Sequence, residues 1–199
     1  PTARASALAI RSEAQRITGI VRELLDFARQ NTPQKSMQNL NELVSSTTEL
    51  METVAAEHQT HLHLSVPDEQ LSANIDAGQI QQVLTNLIIN AMQSAGNDGN
   101  VTITLGNHGQ ESTGNAGADN CIYRRINIID DGQGIPPEHR EHIFEPFFTT
   151  KDIGEGTGLG LSISHGIIQE HGGWIEVKST EGHGSQFSVF LPISKDINH

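Results

Sequence analysis

The sequence predicts an α+β fold, a mixed sheet with helices packed on one face and a long helix in front. Three observations lead there. Strand-like alternation and helical stripes follow each other without the regular strand–helix–strand order of a parallel sheet. Two strand-like segments near the C-terminus, 174–179 and 186–191, face each other across Glu181-Gly182-His183-Gly184, which reads as a hairpin. Before all of them, Ala7, Ile10, Ala14, Ile17, Val21, Leu24 and Ala28 repeat at steps of three and four residues.

That seam makes residues 3–29 one long helix, narrow and half alanine, suited to close packing on another helix. An amphipathic helix lying on a domain surface would show the same pattern. Asn31-Thr32-Pro33 ends it. A second helix is expected over 41–58, with Leu43, Val44, Leu50, Met51 and Val54 on its apolar side. His61-Leu62-His63-Leu64-Ser65-Val66 alternates as a half-buried strand does, and Pro67-Asp68 turns the chain. A short strand covers 73–75. Asp76 then caps a helix, with Gln79 three residues on as in a capping box. Ile80, Val83, Leu84, Leu87, Ile88 and Ala91 give that helix a continuous apolar stripe, and Gly96 ends it.

Residues 101–105 and 121–129 read as paired strands joined by a flexible loop, 106–120, rich in Gly, Asn, Ser and Thr. Pro136-Pro137 starts a short helix. Residues 149–157 are the expected mobile stretch. Residues 159–171 form a helix closed by Gly172-Gly173.

Composition narrows the function. The 199 residues suffice for one domain plus a smaller element, and beginning at Pro1 the chain reads as a fragment of something longer. No apolar run approaches the ~20 residues of a membrane span, and no signal-peptide pattern is present. A membrane or sensor segment is expected only in a missing upstream part. The single cysteine, Cys121, excludes an internal disulfide and an all-cysteine metal site, and a reducing compartment fits. A net charge of −12 makes nucleic acid a poor partner. The same charge repels phosphates at long range, so a phosphate site has to be built locally from backbone dipoles and a few cations.

Four segments carry chemistry. Gly154, Gly156, Gly158 and Gly160 alternate through a loop that becomes the apolar helix Leu159, Leu161, Ile163. Glycines let backbone N–H groups approach an anion, and the helix N-terminus points at the same place. Asn86 and Asn90, four residues apart, share a helix face off the apolar stripe. Their amide oxygens are hard neutral donors suited to Mg²⁺ already held by phosphates; two surface asparagines explain them equally well. Asp130 closes an apolar strand before Gly132, Gly134 and Ile135. A carboxylate there can accept from an exocyclic amine such as adenine's, although Asp-Gly taken alone is a turn signal. Phe144, Phe147 and Phe148 cluster aromatics in a chain that has few, as a core patch or as the hinge of a lid that brings Thr149, Thr150 and Lys151 to phosphates. Taken together, these segments make a nucleotide site. His58, His61 and His63 invite a metal reading, but no cysteine or carboxylate clusters with them, and a solvated strand face explains them better.

In order and spacing the four segments resemble the N box, first glycine box, F box and second glycine box of sensor histidine kinases, within the GHKL superfamily and its Bergerat ATP-binding fold. The resemblance covers about residues 58–192, and the "PFFTTK…GTGLGLSI" phrasing is similar to nitrogen-regulator kinases. Residues 182–187 are similar to the family's final strand motif, and 3–29 to the second helix of the dimerisation and phosphoacceptor domain. The division implied is 1–36, that partial domain and linker, and 37–199, the catalytic ATP-binding domain. The resemblance implies ATP and Mg²⁺ as cofactors. Asn90 is then the Mg²⁺ ligand with Asn86 near the phosphates. Asp130 binds the adenine amine, in a pocket shaped by Gly132, Gly134 and Ile135. Residues 144–156, with Phe144, Thr149, Thr150 and Lys151, form an ATP lid. Gly156, Thr157, Gly158, Leu159, Gly160 and Leu161 cradle the phosphates, and Ser185 stands where the family usually has threonine. The implied partners are a response-regulator receiver domain and a second copy of the full-length protein, in the cytoplasm.

Two departures bear on function. No histidine precedes His58 and no His-Glu-x-x-x-Pro box exists, so no self-phosphorylation at the usual residue is expected. Gln93 stands where relatives often carry a basic residue, which shifts phosphate contact toward Lys151 and backbone N–H groups. Two other functions compete with a kinase core. A GHKL-type ATPase needs a glutamate four residues before the Mg²⁺ asparagine to activate water, and Asn86 cannot serve as that base. A nucleotide-gated interaction module without catalysis would use the seam helix as its binding surface.

Overall fold

The apolar stripe expected on the 76–96 segment forms the middle of the core. Ile80, Val83, Leu84, Leu87, Ile88, Ala91 and Met92 are all buried, on one side of a helix spanning Ala77–Ala95. The computed structural model describes residues 32–109, 122–151 and 156–193, together with Ala7, Arg11 and Thr18. The seam of the 3–29 helix apart from Ala7, the greater part of the 106–120 loop, Cys121 and residues 152–155 therefore lie outside the described residues.

In chain order the elements are β1 (Ser36–Asn39), α1 (Leu40–Glu57), β2 (His61–Ser65), β3 (Ser72–Ile75), α2 (Ala77–Ala95), β4 (Asn100–Gly109), β5 (Ile122–Asp130), a single 3-10 turn at Pro137–His139, α3 (Gly160–Glu170), β6 (Trp174–Ser179) and β7 (Ser185–Pro192). The main sheet runs β2-β4-β5-β7-β6, and β1 pairs with β3 apart from it. β2 and β4 are parallel, with α2 in the connection that such a pair requires. The other neighbours are antiparallel.

Register explains the core. Ile103, Ile128 and Phe187 form one row across β4, β5 and β7, and Leu105, Ile126 and Val189 form the next. All six are buried against the helical layer. The same alternation carries Asp130 to the helix-facing side, because it lies two residues past Ile128. Its cross-strand partners are Val101 and Ser185. The strand period alone thus forces a carboxylate into the edge of the core, where it is 4% exposed.

Helix starts follow the expected chemistry. The Asp76 carboxylate accepts the Gln79 N–H at 3.2 Å and caps α2. Its other oxygen accepts the Gln34 N–H at 2.8 Å, which pins the segment before β1. Asn39 caps α1 through the N–H groups of Asn41 and Glu42. α2 ends at Gly96 with φ 71°, a left-handed value that suits glycine.

Three expectations need correcting. Leu50 is not on the buried side of α1 and is 60% exposed. The inner face instead runs Leu40, Val44, Thr47, Thr48 and Ala55. Thr47 and Thr48 can be buried because their hydroxyls donate to the Leu43 and Val44 carbonyls at 2.7 and 2.8 Å. β1 was not expected, since Ser-Met-Gln-Asn shows no apolar alternation; its pairing with β3 makes the strand. The helix expected after Pro136-Pro137 is one 3-10 turn. Among the described residues, no helix is long and apolar enough to cross a membrane.

Candidate functional site

A cavity of about 1060 Å³ opens between α2, the turn after β5, the lid and the start of α3. The four segments singled out in the sequence supply most of its walls. α2 presents Asn86, Asn90 and Gln93, with Ile89 and Met92 between them. The turn after β5 supplies Asp130, Gly134 and Ile135. The lid contributes Thr149, Thr150 and Lys151, and the second glycine segment Gly156, Thr157, Gly158, Gly160 and Leu161. Ser185 closes the side next to Asp130.

Three residues expected in the site stand behind its walls. Gly132 packs on the end of α2, where a Cβ would sit 2.1 Å from the Ser94 carbonyl oxygen. Leu159 is 1% exposed and belongs to the core. Phe144 stacks on His165, ring centroids 4.9 Å apart. Nor do the three phenylalanines form a single patch. Phe148 meets the rings of His139 and His142. Phe147 is 64% exposed, with φ 69°.

The Asp130 carboxylate is held from several sides. Oδ1 accepts the Ser94 hydroxyl and the Gly132 N–H, each at 3.0 Å. Burial pushes this carboxyl above its usual value, against the pull of hydrogen bonds from Gly132, Ser94 and Ser185. The Ser185 hydroxyl lies 3.0 Å from that of Ser179, which also accepts the Ile135 N–H at 2.7 Å.

At the opposite end, oxygens converge on a cation. The Lys151 ammonium lies 3.3 Å from Asn90 Oδ1 and also reaches Gln93 Oε1. Asn86 is turned toward α3, its amide donating to Gly160 O at 3.4 Å and Ser164 Oγ at 3.5 Å. The lid's two ends are stitched by the Phe147 N–H to Gly158 carbonyl bond, 3.0 Å. A Cβ at Gly158 would lie 2.4 Å from the Phe147 carbonyl carbon.

Three observations test whether a triphosphate and a divalent cation fit. A Cβ at Gly160 would make only ordinary contact, 3.8 Å from the Asn86 amide. Nothing among the described residues demands glycine there, and Gly160 lines the cavity. The α3 N-terminus has no side-chain cap, so its N–H groups remain available to an anion. The amide oxygen of Asn90, already facing an ammonium, is a donor that a hard cation accepts. Among the described residues, no group of three or more His, Cys, Asp and Glu could hold a metal by itself. His63 instead meets Asn100 Oδ1 at 3.1 Å.

Comparison with known proteins places the fold in a family. The model of the histidine kinase-, DNA gyrase B- and HSP90-like ATPase family matches residues 75–195. The chain belongs to this family. Within it, the sensor histidine kinase ZraS of Escherichia coli K12 is 35% identical over 182 residues, 92% of this chain and 36% of ZraS. The chain thus spans about a third of the length of the curated relatives it matches. The catalytic domain of the histidine kinase ThkA is 34% identical with a TM-score of 0.65, covering 80% of this chain and 97% of that one. ThkA in complex with the response regulator TrrA matches at 30% identity and a TM-score of 0.73, covering 96% of this chain and 51% of that one. Full-length ShkA in complex with AMPPNP matches at 25% identity and 0.77, covering 96% and 39%. The part of these kinases that corresponds to the cavity-bearing fold is the ATP-binding catalytic domain.

Sequence reading missed Ser94, which touches Asp130, and Gln133, His139 and Ile143, which line the cavity. A signal for the first wall was present. Asn86, Asn90 and Gln93 follow helical steps on one polar face. His139 and Ile143 carry no such pattern, because the segment after the 3-10 turn has no regular period.

Proposed function

We propose that this chain binds Mg²⁺-ATP in the cavity and presents its γ-phosphoryl to a histidine carried outside the described residues, for relay to a response-regulator aspartate. The observation that carries the reading is the convergence of Asn86, Asn90, Asp130, Lys151, Gly160 and Ser185, spread over 100 positions of sequence, on one space. Asp130 would accept the adenine amine, with Gly134, Ile135 and Ser185 around the base. Gly156, Thr157, Gly158, Gly160 and Leu161 would receive the phosphates beside the uncapped end of α3. Lys151, Thr149 and Thr150 would close from the lid.

Asn90 would hold Mg²⁺, which when bound neutralises charge on the phosphate oxygens. The protein's own part is positioning: it fixes the base at one end and the phosphates at the other, so that the terminal group meets its acceptor in line. Asn86 has no basic oxygen with which to activate water, which favours transfer over hydrolysis. The relative ThkA, solved with a response regulator, supports a receiver domain as the partner. Residues 1–36 would belong to the dimerising helix and 37–199 to the catalytic domain, working in the cytoplasm.

Calorimetric titration of Mg²⁺-ATP against the chain and Asp130→Asn tests the site, and labelled phosphate transfer to a separate protein bearing an acceptor histidine tests the reaction. Binding by the parent, its loss in the variant and label on the acceptor are expected. A folded parent that binds no nucleotide would overturn the reading.

A further inference from the structure

Ser94 lies in the last turn of α2, and its proton goes to an unusual place. Serines and threonines inside helices commonly return it to the carbonyl four residues back. Ser164 does so to Gly160 at 2.9 Å, and Thr48 to Val44 at 2.8 Å. Ser94 donates out of its helix, to Asp130 Oδ1. Its backbone is tied to the same turn, since its carbonyl accepts the Gln133 N–H at 3.3 Å. The close approach of Gly132 to that carbonyl leaves no slack between helix and turn.

A carboxylate offers roughly four acceptor positions, all of them acceptors only while it is ionised. Ser94 and Gly132 both donate to Oδ1, the Ser185 backbone also favours the charged form, and the cavity gives a ligand its approach to this carboxylate. A hydroxyl that donates to Oδ1 favours the charged form and fixes the plane of the carboxylate. A base with an exocyclic amine then meets an acceptor, whereas a base with a carbonyl or a bare C–H at that place meets an unsatisfied charge.

We infer that Ser94 is a positioning and specificity-determining residue for the purine base: its hydroxyl orients Asp130 so that the site selects a nucleotide bearing an exocyclic amine. The inference rests on the assignment of Asp130 to the base given above. Ser94 acts through Asp130 and need not touch the nucleotide.

The test compares ATP with purine riboside triphosphate, which carries the same ribose and phosphates without the amine. Both are titrated with Mg²⁺ against the parent chain, Ser94→Ala and Ser94→Thr. The parent is expected to prefer ATP. Ser94→Ala should lose about threefold to tenfold of that preference, the scale of one hydrogen bond, with affinity for the amine-free nucleotide unchanged. Ser94→Thr, which keeps the hydroxyl, should restore it. Should Ser94→Ala fail to fold, Ser94→Cys keeps the size with a weak donor and is read the same way. Equal loss of both nucleotides, or full preference in Ser94→Ala, would overturn the role of Ser94 alone. A parent that binds both nucleotides equally would instead overturn the base-reading assignment of Asp130, and with it this inference.

Discussion

The Nε2 atom of His171 accepts the backbone N–H of Asp76 at 3.0 Å, joining the end of α3 to the start of α2 across 95 residues of chain. Nδ1 of the same ring meets the Ile167 carbonyl at 2.8 Å, so the partners assign the proton to Nδ1 and keep the ring neutral. Asp76 in turn holds the Gln34 N–H, and Lys35 Nζ donates to the Glu170 carbonyl at 2.7 Å. Two helices and the entry segment meet at one buried histidine.

This geometry fixes a pH dependence of stability. Burial lowers the His171 pKa from its ordinary 6.5, with Lys35 adding to the shift while Ile167, Asp76 and Glu170 oppose it. The unfolded chain therefore takes up the proton first as pH falls. The stabilising contribution is complete above about 6.5 and is lost as pH falls through the lowered folded value. Urea midpoints of the parent should decline below pH 6.5. His171→Gln should remove this contribution to the slope and cost about 1–3 kcal/mol at pH 7.5. A parent and variant with parallel pH profiles would contradict the neutral assignment.

Asp130 works in the opposite sense. Its raised folded pKa means that the ionised carboxylate is a burden on the fold at neutral and alkaline pH, relieved as pH falls through that value toward the unfolded one. Asp130→Asn removes the buried charge and keeps an acceptor for Ser94 and Gly132. The variant is expected to match or exceed the parent's urea midpoint at pH 8 while losing Mg²⁺-ATP binding. A large loss of stability at pH 8 would show that the carboxylate's hydrogen bonds outweigh its burial.

What could be read in advance follows from where local rules act alone. The α2 stripe, the caps at Asp76 and Gly96 and the β6–β7 hairpin are set by residues within a few positions of each other, and they formed as expected. The four motifs also met in one cavity, and the fold class and family are those the sequence suggested. β1 was hidden because its stability comes from Ser72–Ile75, distant in sequence and unmarked by any alternation. Leu50 was misread because two buried threonines mimic a polar face. The contact of Gly132 was hidden, since its partner is the Ser94 carbonyl of another element. Ser94 was passed over for the same reason: a serine at a helix end carries no signal until its partner is known.

Two glycines of the site should respond in opposite ways to alanine. Gly134 has φ 69°, and a Cβ there would lie 2.2 Å from the Thr180 carbonyl oxygen. Gly134→Ala is expected to cost about 1–3 kcal/mol or more, from strain together with overpacking. Gly160 begins α3, and its Cβ would find only ordinary contact. Gly160→Ala should leave the urea midpoint within about 0.5 kcal/mol of the parent or raise it slightly, while nucleotide affinity falls because the methyl enters the cavity. Chemical denaturation and titration of both variants separate the two outcomes. Were Gly160→Ala to bind Mg²⁺-ATP as the parent does, the phosphates would have to lie elsewhere.

In the proposed site the cation at the phosphate end would be Lys151. With a net charge of −12 the chain repels a triphosphate at a distance, and Gln93 contributes no charge of its own to the α2 wall. Lys151 brings a positive charge to that wall, against Asn90 and Gln93. Removing it should therefore hurt triphosphate binding more than binding of adenosine, which has no phosphates to hold. Lys151→Ala is expected to weaken Mg²⁺-ATP about tenfold, the scale of one charge-assisted hydrogen bond, and to leave adenosine unaffected. The loss should shrink at high salt, where an exposed charge is screened. Gln93→Lys in the Lys151→Ala background moves the cation from the lid to α2. Recovery of affinity there would mean that charge at this wall is what matters, wherever it is attached. Failure to recover, with the fold intact, would mean that the lysine must arrive with the lid, and that closing the lid and holding the phosphates are one event.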